Sequence, residues 1–552
     1  MARRKYPYHP FITDWMRKVE QAQIPACREQ KLLMPFIREI LDNKNIEFRA
    51  NATEEAVSML HRNFPFKMHD YQLFRFAIFY GLYEKGTEYP VFNENFNLWG
   101  RGTGKNGTAS MDSMYLTSEY NGVRKYDVDV VANSEKQATT SFNEVYDILE
   151  SNPKKYKQLY RWNLQKIYNK ATQSTLGYLT SNAKTKDGGR QGAIIFDEVH
   201  EYQNYDLITV LEGGLGKVAK PRIIYLTTDG SVRDAVIDDL KRESLEILTG
   251  ETPHNGRFPF IFKMDNIQEF GKPDLFVKAI PRLRYDETLR RQVMKEYANA
   301  KNIEDKKEKF ILKRLNLAYA SKEKTVTTWE SLMQACSHVW PSLENSPCIG
   351  AVDFAELRDF CSVGLIFKRN GMHYYKEHTF IHAESLKLKD YKINVEELVK
   401  DGFVTIVSGD PVISPRVIVD WFKTQAKTYH VKKVYADRFK FVALKEEFEK
   451  AGLELVGVPN GTVTHSLLAP IVTGMFANGT IAFENNKLMR WYIWNVAVRT
   501  DKKGNKSYEK IEPILRKTDG FFSFLHGLIA TELNDELKEA DTGVLDLGLI
   551  TL

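Results

Sequence analysis

The sequence predicts an α/β protein built from two successive α/β regions, and three observations predict it. Between about residues 65 and 250, the apolar runs VDVVANS, GAIIFDEVH and RIIYLTTDG stop at polar loops and are separated by helical stretches. That is the pattern of a parallel sheet covered on both faces. A second series, PCIGAVDFAE, VTIVSG, VKKVYADR and GTIAFEN, runs from about residue 341 to 530. Finally, 552 residues are too many for one ordinary core, so two or more domains are expected.

The elements follow in order. Residues 1–64 have helical periodicity, in VEQAQIPACREQKLLMPFIREILDN and again in TEEAVSMLHRNF. Residues 65–250 form the first α/β domain. Residues 251–340 show no comparable buried strand and hold the charged stretch KNIEDKKEKFILKRLN, the signature of a helical linker. Residues 341–530 form the second α/β domain, and 531–552, acidic and then rich in Gly and Leu, read as a mobile tail.

Composition narrows the class. Hydrophobic content of 43% and charged content of 27% are those of a globular chain. A net charge of +6 permits contact with nucleic acid without arguing for it, since only concentration of charge on one surface would do so. Cys27, Cys336, Cys348 and Cys361 lack CxxC spacing and a nearby His at zinc-ligand intervals, so reduced, buried thiols are expected. No apolar segment follows the basic start MARRKYPYHPFITDW, and no run of about 18 apolar residues occurs. A soluble intracellular protein without membrane contact is the expectation, in which the Asn-x-Thr triplets at Asn51, Asn106, Asn460 and Asn478 carry no glycosylation meaning.

A first candidate site begins at NLWGRGTGKNGTAS. A phosphate site needs backbone N–H groups turned inward at a helix N-terminus and a Lys that reaches the terminal phosphates. Gly100, Gly102, Gly104 and Lys105 supply both, with Arg101 and Thr103 between them, although Gly100 is one residue too close for the strict pattern and Asn106 replaces Ser or Thr. Taken alone, such a loop fits an ordinary turn equally well. Downstream, the apolar run AIIF ends in Asp197 and Glu198, at the C-terminal edge of a parallel sheet, where ligands bind in such folds. There Asp197 would organise Mg²⁺ and Glu198 would polarise the attacking water. Thr227 and Thr228 end the RIIYL strand, where hydroxyls could sense the γ-phosphate, and Tyr71 and Gln72 in FKMHDYQLF offer an adenine-contacting pair.

The series HDYQLF, GRGTGKNG, VDVVANSEKQA, IIFDEVHEY and LTTDG resembles, in this order, the ATPase half of the large terminase subunits of tailed double-stranded DNA bacteriophages. That family commonly carries a deviant Walker A loop with an Arg inside it. The resemblance implies a P-loop NTPase domain in which Gly100 to Asn106 hold the phosphates. Arg101 is then a phosphate contact and Lys105 the phosphate lysine. Tyr71 and Gln72 become the adenine motif, Asp197 and Glu198 the Walker B pair, and Thr227 and Thr228 the coupling motif.

The second α/β region carries acids at the ends of apolar runs: Asp353 after IGAV, Asp437 after VYA, and Asp519 at the start of an apolar helix, where it could equally be the N-cap. Two-metal hydrolysis needs several carboxylates converging on two divalent ions, and taken singly each Asp fits a capping or surface acid as well. Their order resembles the ribonuclease H-like α/β nuclease domain of the same family, which implies that Asp353, Asp437 and Asp519 are metal ligands, with Asp359 and Asp410 in reserve. The basic run of Lys502, Lys503, Lys506, Lys510, Arg516 and Lys517 beside Asp519 suits a DNA backbone, or else a charged β-hairpin. Trp491, Tyr492 and Trp494 read as core.

The resemblance covers about residues 20 to 530. It implies an ATP-driven motor that moves double-stranded DNA into a procapsid and cuts concatemers with a metal-dependent endonuclease, using ATP and Mg²⁺, or Mn²⁺ at the nuclease site. It implies a small terminase subunit and the portal protein as partners, and a ring of copies in the host cytoplasm, where an Arg from one copy completes a neighbour's site. Two rivals are a P-loop helicase or translocase without nuclease activity, and a non-enzymatic nucleotide-binding assembly protein, for which Glu198 would be needless.

Overall fold

The computed structural model describes residues 7–180, 189–233, 235–319, 325–355, 360–388, 391, 393–409, 412–501, 504–511 and 516–537. Asp359, Asp410, Lys502, Lys503 and most of the 531–552 tail fall outside them. The chain divides into two compact units, Met1–Tyr319 and Ala320–Leu552.

The first unit is organised by an eight-stranded sheet. In space its strands run Arg257–Ile261, Glu94–Leu98, Arg222–Thr227, Gln191–Asp197, Asp127–Ala132, Thr175–Thr180, Ile167–Asn169 and Tyr160–Trp162. The first six pair in parallel and the last two close the edge antiparallel. Their buried, β-branched and aromatic composition follows from helices covering both faces. Register fixes the functional edge: Leu98 lies opposite Thr227, and Leu226 opposite Asp197. The loop, the carboxylates and the threonines therefore leave the sheet side by side.

Two segments differ from the sequence expectation. RFPFI, Arg257–Ile261, is a strand with every residue buried, extending the first sheet. Pro259 interrupts its pattern, and such a Pro is tolerated because this strand lies at the sheet edge. The charged helices Glu287–Asn302 and Glu304–Leu315 pack within the first unit around Phe276, Val293, Tyr297, Phe310 and Ile311. The helices Pro10–Glu20, Arg28–Asp42 and Ala50–Asn63 share one apolar core with the sheet.

The second unit holds a seven-stranded sheet in the order Val404–Val407, Met372–His382, Phe360–Arg369, Pro347–Asp353, His430–Asp437 and Leu455–Val458, with Ile481–Phe483 added against Met372–His382. The three strands from Pro347 to His382 form an antiparallel meander, and His430–Asp437 and Leu455–Val458 continue in parallel from the first of them. This is the order of a ribonuclease H-like domain. The helix Asp519–Leu528 crosses the sheet: His526 Nδ1 lies 2.8 Å from the Val352 carbonyl and the Tyr375 hydroxyl 2.8 Å from Ser523 Oγ. Beyond it the chain stays anchored, since Glu532 pairs with Lys368 at 2.9 Å and His373 at 2.8 Å. Val496–Thr500 and Lys506–Lys510 form a hairpin, one of the two forms the sequence allowed for this basic stretch. All four cysteines are free and buried. Among the described residues, no helix is long and apolar enough to cross a membrane.

Candidate active sites

The phosphate loop leaves its strand at Trp99, whose fully buried indole donates to the Phe260 carbonyl at 3.1 Å. This Trp stands where the strict pattern would have its first Gly, so the loop is tethered to the core at its root. Gly104 caps the helix Lys105–Thr117 with φ 98°, a conformation that favours glycine, and turns the first helical N–H groups toward the sheet edge. Gly100 is needed for a different reason. A Cβ there would stand 2.3 Å from the Arg314 carbonyl oxygen, because the segment after Phe262 lies directly against the loop.

Lys105 is buried, its Nζ 3.2 Å from the Trp99 carbonyl. Burial, together with Arg101 and Arg314, pushes its pKa down against the pull of Glu198 and Asp197. Arg101 and Asn106 are exposed. Thr103 is buried and its hydroxyl donates to the Gly100 carbonyl at 2.7 Å, closing the loop internally. Gln72 lies beside the loop helix, its amide donating to Thr108 Oγ1 at 3.0 Å. Tyr71 is 0% exposed and packs against Trp15, Trp99 and Phe262, while its hydroxyl donates to the Thr103 carbonyl at 2.7 Å. With no accessible ring face it props the loop from behind, a place that differs from the adenine contact expected of it.

At the end of the neighbouring strand, Asp197 accepts a bond from the Glu198 N–H at 2.9 Å. Burial, and then the adjacent Glu198 charge, raise Asp197 to about 7. Glu198 has φ 51°, in the left-handed region that residues other than glycine rarely adopt. Burial opposes its charge, but His200, Lys105 and Lys313 outweigh burial and hold it at about 2. The two adjacent acids thus differ widely in proton affinity, because the cations around Glu198 outweigh its burial and Lys105 alone does not outweigh that of Asp197. Thr227 and Thr228 are buried at the tip of the intervening strand, and Thr227 Oγ1 accepts the His200 N–H at 3.0 Å.

Sequence reasoning missed the contribution of residues 279–316. The Gly100 N–H donates to Ala279, the Arg101 N–H donates to Lys313 at 2.7 Å, and Arg314 donates to the Arg101 carbonyl at 2.6 Å while gripping Glu296 at 2.8 and 2.9 Å. Nothing in KEKFILKRLN announces this beyond its apolar FIL core.

In the second unit, Asp353 and Asp437 end adjacent parallel strands, with Val352 opposite Ala436. Asp519 lies in the first turn of the crossing helix; Thr518, and not Asp519, is its N-cap residue. The buried Cys361 thiol is raised by burial and then by both Asp353 and Asp519, so these two acids share a neighbour. Asp437 also caps the following helix, accepting the Phe439 N–H at 2.9 Å. Among the described residues, no group of three His, Cys, Asp or Glu side chains forms a ready-made metal cage. The donors are nonetheless all carboxylates, two at neighbouring strand ends and one in the first turn of the crossing helix, a set whose chemistry fits a hard divalent cation. Of the basic run, Lys506 and Lys510 lie in the hairpin, whereas Lys517 is buried, with its Nζ 5.8 Å from the Tyr391 ring centroid, and is not part of an exposed basic face. Trp491 and Tyr492 are core, as expected.

Below this edge lies an acid that the sequence does not single out. Glu377 is buried in the meander and accepts bonds from Ser362 at 2.9 Å, Thr379 at 2.5 Å and Asn486 at 2.9 Å. Burial outweighs these donors and raises it from 4.5 to about 7. A carboxyl whose folded pKa exceeds its unfolded one contributes stability that is fully present below about pH 4.5 and lost as pH rises through about 7. Urea unfolding in EDTA should show a loss on the order of 2 kcal/mol between about pH 5 and about pH 8 from this group. Glu377→Gln should flatten that slope whatever its absolute stability, and an unchanged slope would exclude the assignment.

Comparison with known proteins finds two catalytic domains in the same order. Residues 70–246 match the family model "Terminase large subunit, ATPase domain", and residues 253–517 match "Terminase large subunit, endonuclease domain". The chain is 23% identical over 464 residues to the terminase large subunit of Lactococcus phage SK1, covering 79% of this chain and 82% of that one. It is 24% identical over 338 residues to protein YmfN of Escherichia coli (strain K12), covering 59% of this chain and 74% of that protein. Among solved structures, the HK97 bacteriophage large terminase gives a TM-score of 0.47 at 14% identity, covering 88% of this chain and 100% of that one. The large terminase of a thermophilic bacteriophage in complex with ATP-γ-S gives 0.29 at 12% identity, over 80% and 96%. With both catalytic domains of one family matched in series along most of its length, the chain belongs to the terminase large subunit family, the ATPases and endonucleases of phage DNA packaging.

Proposed function

We propose that ATP is hydrolysed at the sheet edge formed by Gly100–Asn106, Asp197, Glu198, Thr227 and Thr228, and that DNA is cut at the edge carrying Asp353, Asp437 and Asp519. The observation that supports the first half most strongly is the shared register that places loop, carboxylates and threonines on three adjacent strands. Lys105 and the first N–H groups of its helix bind the β- and γ-phosphates, with Arg101 at the exposed lip. Asp197 would hold Mg²⁺, with the exposed Asn106 amide at the start of the loop helix as a further oxygen donor. Glu198, ionised at neutral pH, accepts the proton of the attacking water. Thr227, at the strand tip, registers loss of the terminal phosphate. Gln72 positions the base end of the nucleotide.

At the second edge, Asp353, Asp437 and Asp519 would hold divalent cations, Mg²⁺ or Mn²⁺, whose chemistry when bound is to activate water and stabilise the leaving oxygen. The large terminase of one thermophilic bacteriophage has been solved with ATP-γ-S, and the large terminase nuclease of the thermophilic phage G20c with magnesium and with cobalt. Double-stranded DNA, a small terminase subunit and the portal protein are the proposed partners. A ring of copies works during packaging in the host cytoplasm, where an Arg from one copy completes the next copy's ATPase site.

The test is plasmid cleavage by the full chain. Nicking of supercoiled DNA should appear with Mg²⁺ or Mn²⁺ and vanish with EDTA. If wild-type protein leaves the plasmid intact with either metal, the nuclease half of the reading fails and a translocase without nuclease activity takes its place.

A further inference from the structure

One short stretch of chain, Lys313 to Asn316, touches all three segments of the ATPase edge. The Lys313 carbonyl takes the Arg101 N–H of the phosphate loop at 2.7 Å. Asn316, in the left-handed region at φ 54° and buried, accepts the Asp229 N–H at 2.9 Å just past the threonine pair, and donates to the Phe262 carbonyl at 2.7 Å. The Lys313 ammonium meets His200 Nε2, two residues beyond Glu198.

His200 is built to transmit that contact. Its ring is 7% exposed and fixed by Gly230, where a Cβ would stand 2.7 Å from His200 Cδ2. Nδ1 lies 3.1 Å from Glu198 Oε2 and 3.1 Å from Thr227 Oγ1. An ammonium can only donate, so Nε2 accepts from Lys313 and Nδ1–H donates to Thr227 Oγ1, with Glu198 Oε2 beside it at ion-pair distance but outside hydrogen-bond geometry. Glu201 Oε1 is the other acid near the ring, 3.9 Å from Nε2. On its far side Lys313 lines, with Arg101, Lys306 and Lys309, a cleft of about 570 Å³ between the two charged helices and the phosphate loop.

We propose that Lys313 and His200 are positioning residues: the last turn of the Glu304–Leu315 helix, acting through the Lys313–His200 contact, fixes the His200 tautomer and thereby the orientation of Glu198 toward the attacking water. The charged helical segment is then a sensor in cis. Its displacement would break the Lys313 contact, free the ring to change tautomer, and uncouple Glu198 from Thr227.

The inference rests on the reading of Glu198 as the base, and the experiment separates the two. Steady-state ATP hydrolysis and equilibrium ATP and ADP affinities are measured on the full chain for Lys313→Met, Lys313→Arg, His200→Asn, the double variant Lys313→Met/His200→Asn, and Glu198→Gln. Met keeps the stem of Lys313 without its charge, and the Asn amide keeps a donor at the Nδ1 position without Nε2. Lys313→Met and His200→Asn should each lower kcat about tenfold or more with Kd for both nucleotides within about twofold. The double variant should lose no more than the worse single one, because both remove the same link. Lys313→Arg should recover most of the rate, and melting temperatures identify any variant that misfolds, in which case the remaining single variant decides. Losses that multiply, an ATP affinity that falls at constant kcat, or wild-type kcat in the single variants would overturn the relay. Hydrolysis that survives in Glu198→Gln would instead remove the base assignment on which the relay depends.

Discussion

Glu198→Gln is expected to abolish steady-state ATP hydrolysis while leaving nucleotide binding intact. The substitution keeps the shape of the side chain and removes a carboxylate that, despite its burial, His200, Lys105 and Lys313 hold ionised, at about 2, beside His200 at the strand end. General-base catalysis contributes roughly 10²–10⁴-fold, so the residual rate should fall into the background of an ordinary coupled assay. Binding should survive because the phosphate contacts come from Lys105 and the helix N-terminus, neither of which Glu198 supports mechanically. Removing the negative charge beside Lys105 should, if anything, tighten ATP binding. The measurement is kcat together with Kd for ATP. Full hydrolysis in this variant would leave a nucleotide-binding protein with no need of a base. Loss of binding together with hydrolysis would show that Glu198 shapes the site instead of serving the chemistry.

How much of this was legible in the sequence depends on how local each cause is. The strands IIFDE and RIIYLTT could be read because a buried parallel strand writes itself as a continuous apolar run, and the acids and hydroxyls that end such runs mark the ligand edge. VYAD and TIAF were readable for the same reason, whereas VTIV was readable from its β-branched residues although Thr405 and Ile406 are exposed at the sheet edge; the hairpin was one of two readings of the basic run. RFPFI was not, because five residues with a central proline fit an edge strand only once the neighbouring strand is known. The place of Tyr71 was invisible as well: DYQ starts a helix in either case, and only the packing of Trp15, Trp99 and Phe262 decides that its ring is sealed. Lys313, Arg314 and Asn316 lie in a stretch whose charge reads as solvated helix. Their contacts to Arg101, His200 and Asp229 span from 87 to 213 positions in sequence, a separation that no local pattern encodes.

Glu377 is the opposite lesson about burial. In YYKEHTF it alternates like a surface acid, yet Gly364 stands opposite it and Ser362, Thr379 and Asn486 reach it with three donors that make a buried carboxyl tolerable. Such an acid is costly unless its partners are all retained, so the meander around it is expected to tolerate little polar substitution.

Asp353→Asn and Asp519→Asn should each eliminate metal-dependent DNA cleavage and leave ATP hydrolysis unchanged. The two acids come from different elements, a strand end and the first turn of the crossing helix, and both act on the buried Cys361 thiol because that helix is tied to the sheet through His526 and Val352 and through Ser523 and Tyr375. Asn preserves the volume of each side chain but removes the charge that a hard cation requires, and two-ion hydrolysis fails when either ion is lost. A loss of at least about 10²-fold is therefore expected for both. Asp437→Asn should behave differently in one respect: Asp437 caps the helix Arg438–Ala451, and Asn is an equally good cap, so its variant should keep stability while losing cleavage. ATP turnover is the internal control, because the ATPase residues all lie within Met1–Tyr319 and the three acids within Ala320–Leu552. Cleavage that persists in both Asp353→Asn and Asp519→Asn would move the nuclease site off this edge. Loss of ATP turnover along with cleavage would mean that the substitutions act on folding and not on metal binding.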